Sequence, residues 1–319
     1  MTQEPYTVSI LVPVYGVEKY IERCARSIFE QTYHNLDIVF IDDCTPDKSI
    51  EILKRVLDDY PERKEQTRII RHEQNRGLSA ARNTAVAAAT GTFLTHVDSD
   101  DWLERNAVEE MVKKQVETGA EIVTGQCIRH NPNSWFYLSR PALKDHNDFV
   151  LDMESASINH SIWGRLIRKT LFDNNNVKAA IDINIGEDLL FMSKLAYFSK
   201  KNEWTKSLVY HYNFERTSSY TQSADLIKQV NIQVENVKAY ISLRKFFIDK
   251  EQIFFQKANE ELTTIFNGLL FLYLQQNKKD DYKRTLDMMK SMKLRVYSKI
   301  RLCGENFYLL RLMIRFLGK

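Results

Sequence analysis

Glycine and proline are scarce in this sequence, ten and six in 319 residues, where ordinary usage would give roughly 20 and 15. Both residues break helices, so the chain is expected to be helix-rich, and a collagen-like or low-complexity character is excluded. Cysteine is scarcer still. Cys24, Cys44, Cys127 and Cys303 stand far apart, with no CxxC pair and no histidine at metal spacing. That excludes a disulfide scaffold and leaves a zinc or redox motif unsupported, so free thiols in a reducing compartment are expected. No basic residues precede an apolar run at the N-terminus, and no secretory signal is read there. No uncharged apolar stretch reaches the ~18 residues that span a bilayer. A cytoplasmic protein is expected, at most peripheral on the inner face of the cell membrane.

A strong net charge is also missing, since 45 Lys+Arg face 42 Asp+Glu for a formal +3. The small total conceals an uneven distribution. Residues 278–319 hold 12 Lys+Arg against 4 Asp+Glu, a local +8, which leaves the rest of the chain at −5. Within that tail, residues 306–318 are almost wholly apolar except Arg311 and Arg315, four apart on one helical stripe. With Lys299, Arg301 and Lys319 they make a basic amphipathic segment. Residues 299–319 therefore suit an anionic membrane surface, or a terminal helix docked into a core or an oligomer interface. Basic residues confined to a tail, with no recognition module, argue against nucleic acid.

What is present is a strong alternation of strand and helix patterns. Residues 7–13 read as a buried strand and residues 17–32 as a helix with Ile21, Cys24, Ala25 and Ile28 on one face. A second apolar run, 36–41, stops at Asp42-Asp43. A helix follows with the stripe Ile50, Leu53, Leu57 and Tyr60. A short strand at 68–70, an Ala-rich helix at 78–90 and a strand at 93–97 that stops at Asp98 complete the series. Short connections between such elements mean parallel strands with crossovers, hence an α/β sheet with helices on both faces. From about residue 225 the pattern is purely helical, in segments 225–250, 251–276 and 278–295. Two regions result: 1–220, an α/β domain, and 221–319, a helical region ending in the basic tail.

Five acidic residues collect at two strand ends, Asp42 and Asp43 and then Asp98, Asp100 and Asp101. Open α/β sheets bind ligands along that edge, and helix capping would account for only one such residue at each end. Asp98-Ser99-Asp100-Asp101 packs carboxylates so densely that they repel unless a cation sits among them, and hard divalent metals take oxygen ligands. Mn²⁺ or Mg²⁺ held there, with Asp100 and Asp101 as protein ligands, would bridge a diphosphate and offset its charge as it leaves.

Four segments occur in order: Ser9-Ile10-Leu11-Val12-Pro13-Val14-Tyr15, Ile41-Asp42-Asp43-Cys44-Thr45-Pro46-Asp47, Asn75-Arg76-Gly77-Leu78-Ser79-Ala80-Ala81-Arg82-Asn83 and Asp98-Ser99-Asp100-Asp101. Together they resemble family 2 glycosyltransferases, inverting enzymes of the GT-A fold, a Rossmann-like mixed sheet flanked by helices, that use nucleotide-sugar donors. The resemblance is strong over residues 7–110 and weaker to about 220. It implies that Pro13, Val14 and Tyr15 wall the base and ribose pocket and that Asp43 accepts from the uracil N3–H of a UDP-sugar. Asp42 admits a capping or loop-stabilising role. Where relatives often have Gly-Ser after the acidic pair, this chain has Cys44-Thr45. Asn75, Gly77 and Arg82 belong to the donor site, Gly77 allowing close backbone approach and Arg82 able to reach the diphosphate or to pair with an acidic residue of the 98–101 cluster. Asp98, Ser99 and Asp100 complete that site.

Gly186-Glu187-Asp188-Leu189-Leu190-Phe191 resembles the family's Glu-Asp motif below the acceptor site. Asp188 is expected to be the general base that deprotonates an acceptor hydroxyl, with Glu187 orienting it. The alternative is a pair of acids favoured by a helix N-terminus. Trp163 is a candidate stacking platform for an acceptor sugar or a core residue, and Arg165 a candidate phosphate or acceptor contact. His211 is a candidate metal ligand, and Arg216 belongs to a segment that covers the diphosphate in relatives. The activity so implied is transfer of a hexose-type sugar to a hydroxyl of a glycan or lipid-linked glycan. Two rivals remain: a sugar-nucleotidyltransferase, whose Gly-rich basic loop after the first strand is absent here, and an inactive scaffold or membrane adaptor.

Overall fold

The apolar runs of the N-terminal third become the centre of a sheet. Strands β1 (Val8–Val14) and β2 (Leu36–Asp42) are buried along their whole length, which is why they read as unbroken hydrophobic runs rather than alternating ones. Two of the polar side chains among them, Ser9 and Asp37, are satisfied within the sheet. Ser9 Oγ donates to Asp37 at 2.6 Å, and Arg68 donates to the other oxygen of Asp37 at 2.5 Å. The computed structural model describes residues 4–131, 134–138, 145–154, 160–181, 183, 185–214, 225–296 and 307. The chain divides into two units, Met1–Met153 with Ser157–Thr217, and Glu154–Ala156 with Ser218–Lys319.

In the first unit, helix α1 (Ile21–Phe29) buries the Ile21, Cys24, Ala25 and Ile28 face read from the sequence. Helix α2 (Ser49–Asp58) and a 3₁₀ turn at Pro61–Gln66 lead to β3 (Thr67–Arg71), and α3 (Leu78–Ala88) leads to β4 (Phe93–His96). These four strands are parallel in the order β3-β2-β1-β4. Their carboxyl ends therefore share one edge, where Asp43, His72 and Asp98 follow.

The remainder is β5 (Trp102–Leu103), α4 (Ala107–Thr118), β6 (Ile122–Asn131), β7 (Ser134–Leu138), α5 (His146–Glu154), β8 (Arg165–Arg168), α6 (Thr170–Asp173), α7 (Glu187–Phe198) and β9 (Asn202–Asn213). Strand β8 runs antiparallel to β4 and to β6, β6 runs parallel to β9, and β9 runs antiparallel to β5. Among the described residues the result is a nine-stranded mixed sheet, β3-β2-β1-β4-β8-β6-β9-β5, with β7 attached to β6. A mixed α/β sheet flanked by helices, with a helical C-terminal region, is the architecture that the sequence pattern anticipates.

The second unit contains α8 (Leu226–Phe247), α9 (Gln252–Gln275) and α10 (Lys279–Ser291). Tyr240, Leu243 and Phe247 of α8 are buried with Phe254, Leu262, Phe266 and Leu270 of α9, and the Phe247 and Phe254 rings lie 5.4 Å apart. Of residues 306–318, Phe307 alone is described; it is buried edge-on to Tyr282 at 5.3 Å. The rest of the basic tail lies outside the described residues. Among those described, no helix is long and apolar enough to cross a membrane.

Candidate active site

The turn after β2 is built from its own side chains. Asp42 Oδ1 accepts from the Thr45 N–H at 2.9 Å, and Arg71 stands 3.5 Å from its other oxygen, so Asp42 stabilises the loop. Thr45 Oγ1 accepts from the Gly16 N–H and donates to Asp47, joining this turn to the end of β1. Cys44 sits at φ +56°, the left-handed region in which glycine is at ease. The Cys44-Thr45 variation thus keeps a glycine-like backbone. Beside it Pro13 and Val14 are buried, while the Tyr15 ring is half exposed.

Asp43 is buried, and three donors converge on it: His72 Nδ1 at 2.7 Å and the Arg76 N–H at 2.9 Å on Oδ1, and the Gly77 N–H at 2.8 Å on Oδ2. Oδ2 thus has room for one further donor. Gly77 takes φ +83° at the start of α3, and Asn75 is exposed just before it. On α3, Asn83 exchanges two hydrogen bonds with the backbone of Ala179, and Ser79 donates to the Ile183 carbonyl. This helix therefore anchors the segment that runs into α7, where Glu187 and Asp188 stand.

Arg82, 1% exposed, joins the acidic motifs. Its Nη1 donates to Glu187 at 2.9 Å and to Asp188, and its Nη2 donates to Asp98 at 2.9 Å. Asp188 also accepts from the Ile162 N–H at 3.3 Å. The ion pair of Arg82 with the acidic cluster is observed, and both of its terminal nitrogens bond carboxylates. Burial opposes its charge, but Asp188, Asp98 and Glu187 together raise its pKa. One guanidinium does not balance so many acids. Burial, with the charges of Asp188 and Asp100 added, pushes Asp98 up to about 6 even against Arg82. Burial and the neighbouring Asp188 push Glu187 up to about 7.

Asp101, expected as a metal ligand, is engaged within the protein. It is 1% exposed, and both oxygens serve the protein: Tyr210 Oη donates to one at 2.6 Å and the Asn213 N–H to the other at 2.7 Å. Buried this way, next to Asp100 and Asp98, its pKa is raised well above the carboxylate range. Asp98 and Asp100 remain partly exposed while Ser99 is buried. His211 is also drawn elsewhere. Its two ring nitrogens meet His130 at 2.9 Å and Glu104 at 2.7 Å, and the ring stacks on Trp102. Strand alternation explains this, because Tyr210 next to it is the residue that faces Asp101. Among the described residues no group of three His, Cys, Asp or Glu is arranged to hold a metal alone. Asp98 and Asp100 still fit a hard cation of the Mg²⁺ kind, which keeps one or two carboxylates and takes phosphate oxygens for the rest.

The two acceptor candidates are both buried. Trp163 is 4% exposed and stacks on Tyr210 at 4.6 Å and Tyr212 at 5.4 Å, so its faces are used inside the core. Arg165 is fully buried and donates to Thr124 Oγ1 and Met153 Sδ. Arg216 lies outside the described residues. Sequence reasoning missed His72 and Tyr210. The signal for His72 was available, as the first residue past a strand that ends beside Asp42-Asp43.

A parallel half-sheet with a carboxylate edge, completed by an acid pair opening a later helix, defines an α/β protein of the GT-A type. The profile of the family described as Glycosyl transferase family 2 matches residues 9–180, and the chain belongs to that family. It is 33% identical over 224 residues to glycosyltransferase GlyA of Streptococcus pneumoniae, covering 66% of this chain and 31% of that protein. It is 32% identical over 192 residues to the uncharacterized glycosyltransferase EpsJ of Bacillus subtilis, covering 58% and 54%. The chain thus spans about a third to a half of the length of these relatives. Among solved structures it resembles S. aureus TarS in complex with UDP-GlcNAc, with a TM-score of 0.58, 16% identity and coverage of 91% and 93%. It also resembles a Pyrobaculum calidifontis mannosyltransferase in complex with GDP-Man and Mn²⁺, with a TM-score of 0.56, 17% identity and coverage of 98% and 87%. These two likenesses are of fold.

Proposed function

We propose that the protein is an inverting, divalent-metal-dependent glycosyltransferase. It would move a hexose-type sugar from a nucleoside-diphosphate donor, a UDP-sugar, to a hydroxyl of a glycan or lipid-linked glycan. The observation that carries this reading is the Arg82 junction, which joins the motif at 75–83, the Asp98 cluster and the Glu187-Asp188 pair at one guanidinium. Family membership and the UDP-GlcNAc complex of a structural neighbour support the donor class.

In this reading the nucleoside lies against Pro13, Val14 and Tyr15, and Oδ2 of Asp43 accepts from the base. Asp98 and Asp100 would hold Mn²⁺ or Mg²⁺, which when bound offsets the charge developing on the diphosphate. Asp188, kept at the site by Arg82 and the Ile162 N–H, takes the proton of the acceptor hydroxyl as its oxygen attacks the anomeric carbon. The nucleoside diphosphate leaves from the opposite face, and a single displacement inverts that carbon. Glu187, raised toward neutrality, shares Arg82 with the base and fixes its rotamer. The basic tail would bring the enzyme to an anionic membrane surface where a lipid-linked acceptor resides.

The test is transfer by the purified protein from a panel of nucleotide sugars with Mn²⁺. Asp188→Asn should lower turnover by about 10²–10⁴-fold, the worth of a general base, while nucleotide affinity measured by calorimetry stays near native. Full activity in that variant would sink the assignment.

A further inference from the structure

His72 has no part in the donor contacts above, yet it is among the most firmly held polar side chains at the sheet edge. The residue is 6% exposed. Its backbone N–H donates to the Asp42 carbonyl at 2.9 Å, which extends the β2–β3 ladder by one bond. The ring is held at both ends, Nδ1 lying 2.7 Å from Asp43 Oδ1 and Nε2 lying 2.9 Å from Thr84 Oγ1. A carboxylate only accepts, so Nδ1 carries the proton that makes the first bond, and Nε2 meets the Thr84 hydroxyl. Thr84 belongs to α3, so the ring ties the strand edge to that helix.

Asp43 has two rotatable bonds, and the two backbone donors alone would move with the Arg76–Gly77 turn. His72 is the fixed member of the set, because its ring is anchored independently in β3 and α3. We infer that His72 is a positioning residue for nucleotide recognition. It sets the Asp43 carboxylate, and through it the turn at Gly77, in the orientation that receives the nucleoside of the donor. This rests on the reading of Asp43 as a donor-site residue given above.

The test uses UDP and GDP with Mn²⁺ as probes, the tighter of the two being carried through calorimetry, together with donor KM and kcat for the full chain. In His72→Asn the side-chain nitrogen stands where Nδ1 stands and keeps the bond to Asp43. In His72→Gln the amide reaches toward Thr84 and loses it. Nucleotide affinity should fall about tenfold or more in His72→Gln, the weight of a hydrogen bond to a carboxylate. Donor KM should rise to match while kcat stays within about twofold, and His72→Asn should remain within about threefold of native. Thr84→Val, which frees one end of the ring, should weaken binding by a smaller factor. Equal loss in the Asn and Gln variants, native affinity in the Gln variant, or a loss confined to kcat would each overturn the inference. Asp43→Ala separates the two levels. Weakened binding there with a native-like His72→Gln overturns the role of His72 alone, whereas unchanged binding in Asp43→Ala overturns the donor-site reading with it.

Discussion

Arg82 places one positive charge among Asp98, Glu187 and Asp188, and the cost of losing it follows from what stays behind. Removing one partner of a buried ion pair costs about 3–5 kcal/mol, because the remaining charges are left desolvated and uncompensated. Arg82→Met, which keeps the volume and removes the charge, should therefore lose stability of that order in urea at pH 7.5. Arg82→Lys should lose less, since it restores the charge but not the fork that spans Asp98 on one side and Glu187 with Asp188 on the other. A loss below about 1 kcal/mol in the Met variant would mean that the three acids find other counter-charges. A phosphate contact and an ion pair with the acidic cluster were both open to Arg82 from the sequence, and the burial of the ion pair was not legible there. A basic residue on the first turns of a helix reads as available to a phosphate, and nothing in the local pattern says that a segment 105 residues later will cover it.

At the scale of elements, the first four strands and their helices were legible because each is a short, strongly patterned unit joined to the next by a short connection. The acidic edge was legible for the same reason, as it follows directly from where those strands stop. The strands β6, β8 and β9 were not. They pair in the order β8-β6-β9, which mixes antiparallel and parallel neighbours across long stretches of chain, and no local period encodes such pairing. The surroundings of Trp163, Arg165, Asp101 and His211 were not legible for that single reason, since each belongs to or bonds with this half of the sheet.

Glu154 ends α5. It is buried, and neither carboxyl oxygen has a hydrogen-bond partner among the described residues. Burial pushes its pKa up to about 9, with Lys257 opposing and Glu261 adding to the shift. A carboxyl whose folded pKa exceeds its unfolded value makes the folded state bind the extra proton. Its contribution to stability is therefore complete below about pH 4.5 and is lost progressively as pH rises toward 9. Glu154→Gln should escape that loss. The difference in unfolding free energy, variant minus native, should grow by about 5 kcal/mol between pH 5 and pH 9 at about 1.4 kcal/mol per pKa unit, read from urea titrations at each pH. A difference that stays flat would show that the carboxyl is solvated or paired.

Over the whole molecule, the formal +3 divides into a body at −5 and a C-terminal stretch at +8, and the acidic cluster is where the body's excess is concentrated. Asp98 and Glu187 have raised pKa values because burial and mutual repulsion outweigh the single guanidinium, and burial beside Asp100 and Asp98 raises that of Asp101 against its bonds from Tyr210 and Asn213. Such a site gains when a divalent cation and a diphosphate arrive together, because the cation relieves repulsion that protons relieve only below neutrality. Ligand that binds the folded state alone stabilises it by about 2.7 kcal/mol at a hundredfold excess over its Kd. UDP with Mn²⁺ should accordingly raise the melting temperature by several degrees at pH 7.5, and UDP with EDTA should raise it less. The Mn²⁺-dependent part should shrink as pH falls from 7 to 5, because protons on Asp98 and Glu187 then compete with the cation. Asp100→Asn, which removes a partly exposed carboxylate and leaves the Arg82 junction intact, should abolish that part while the unliganded melting temperature stays near native. An equal shift in EDTA, or a Mn²⁺ effect untouched by Asp100→Asn, would place the cation elsewhere or make the transfer metal-independent.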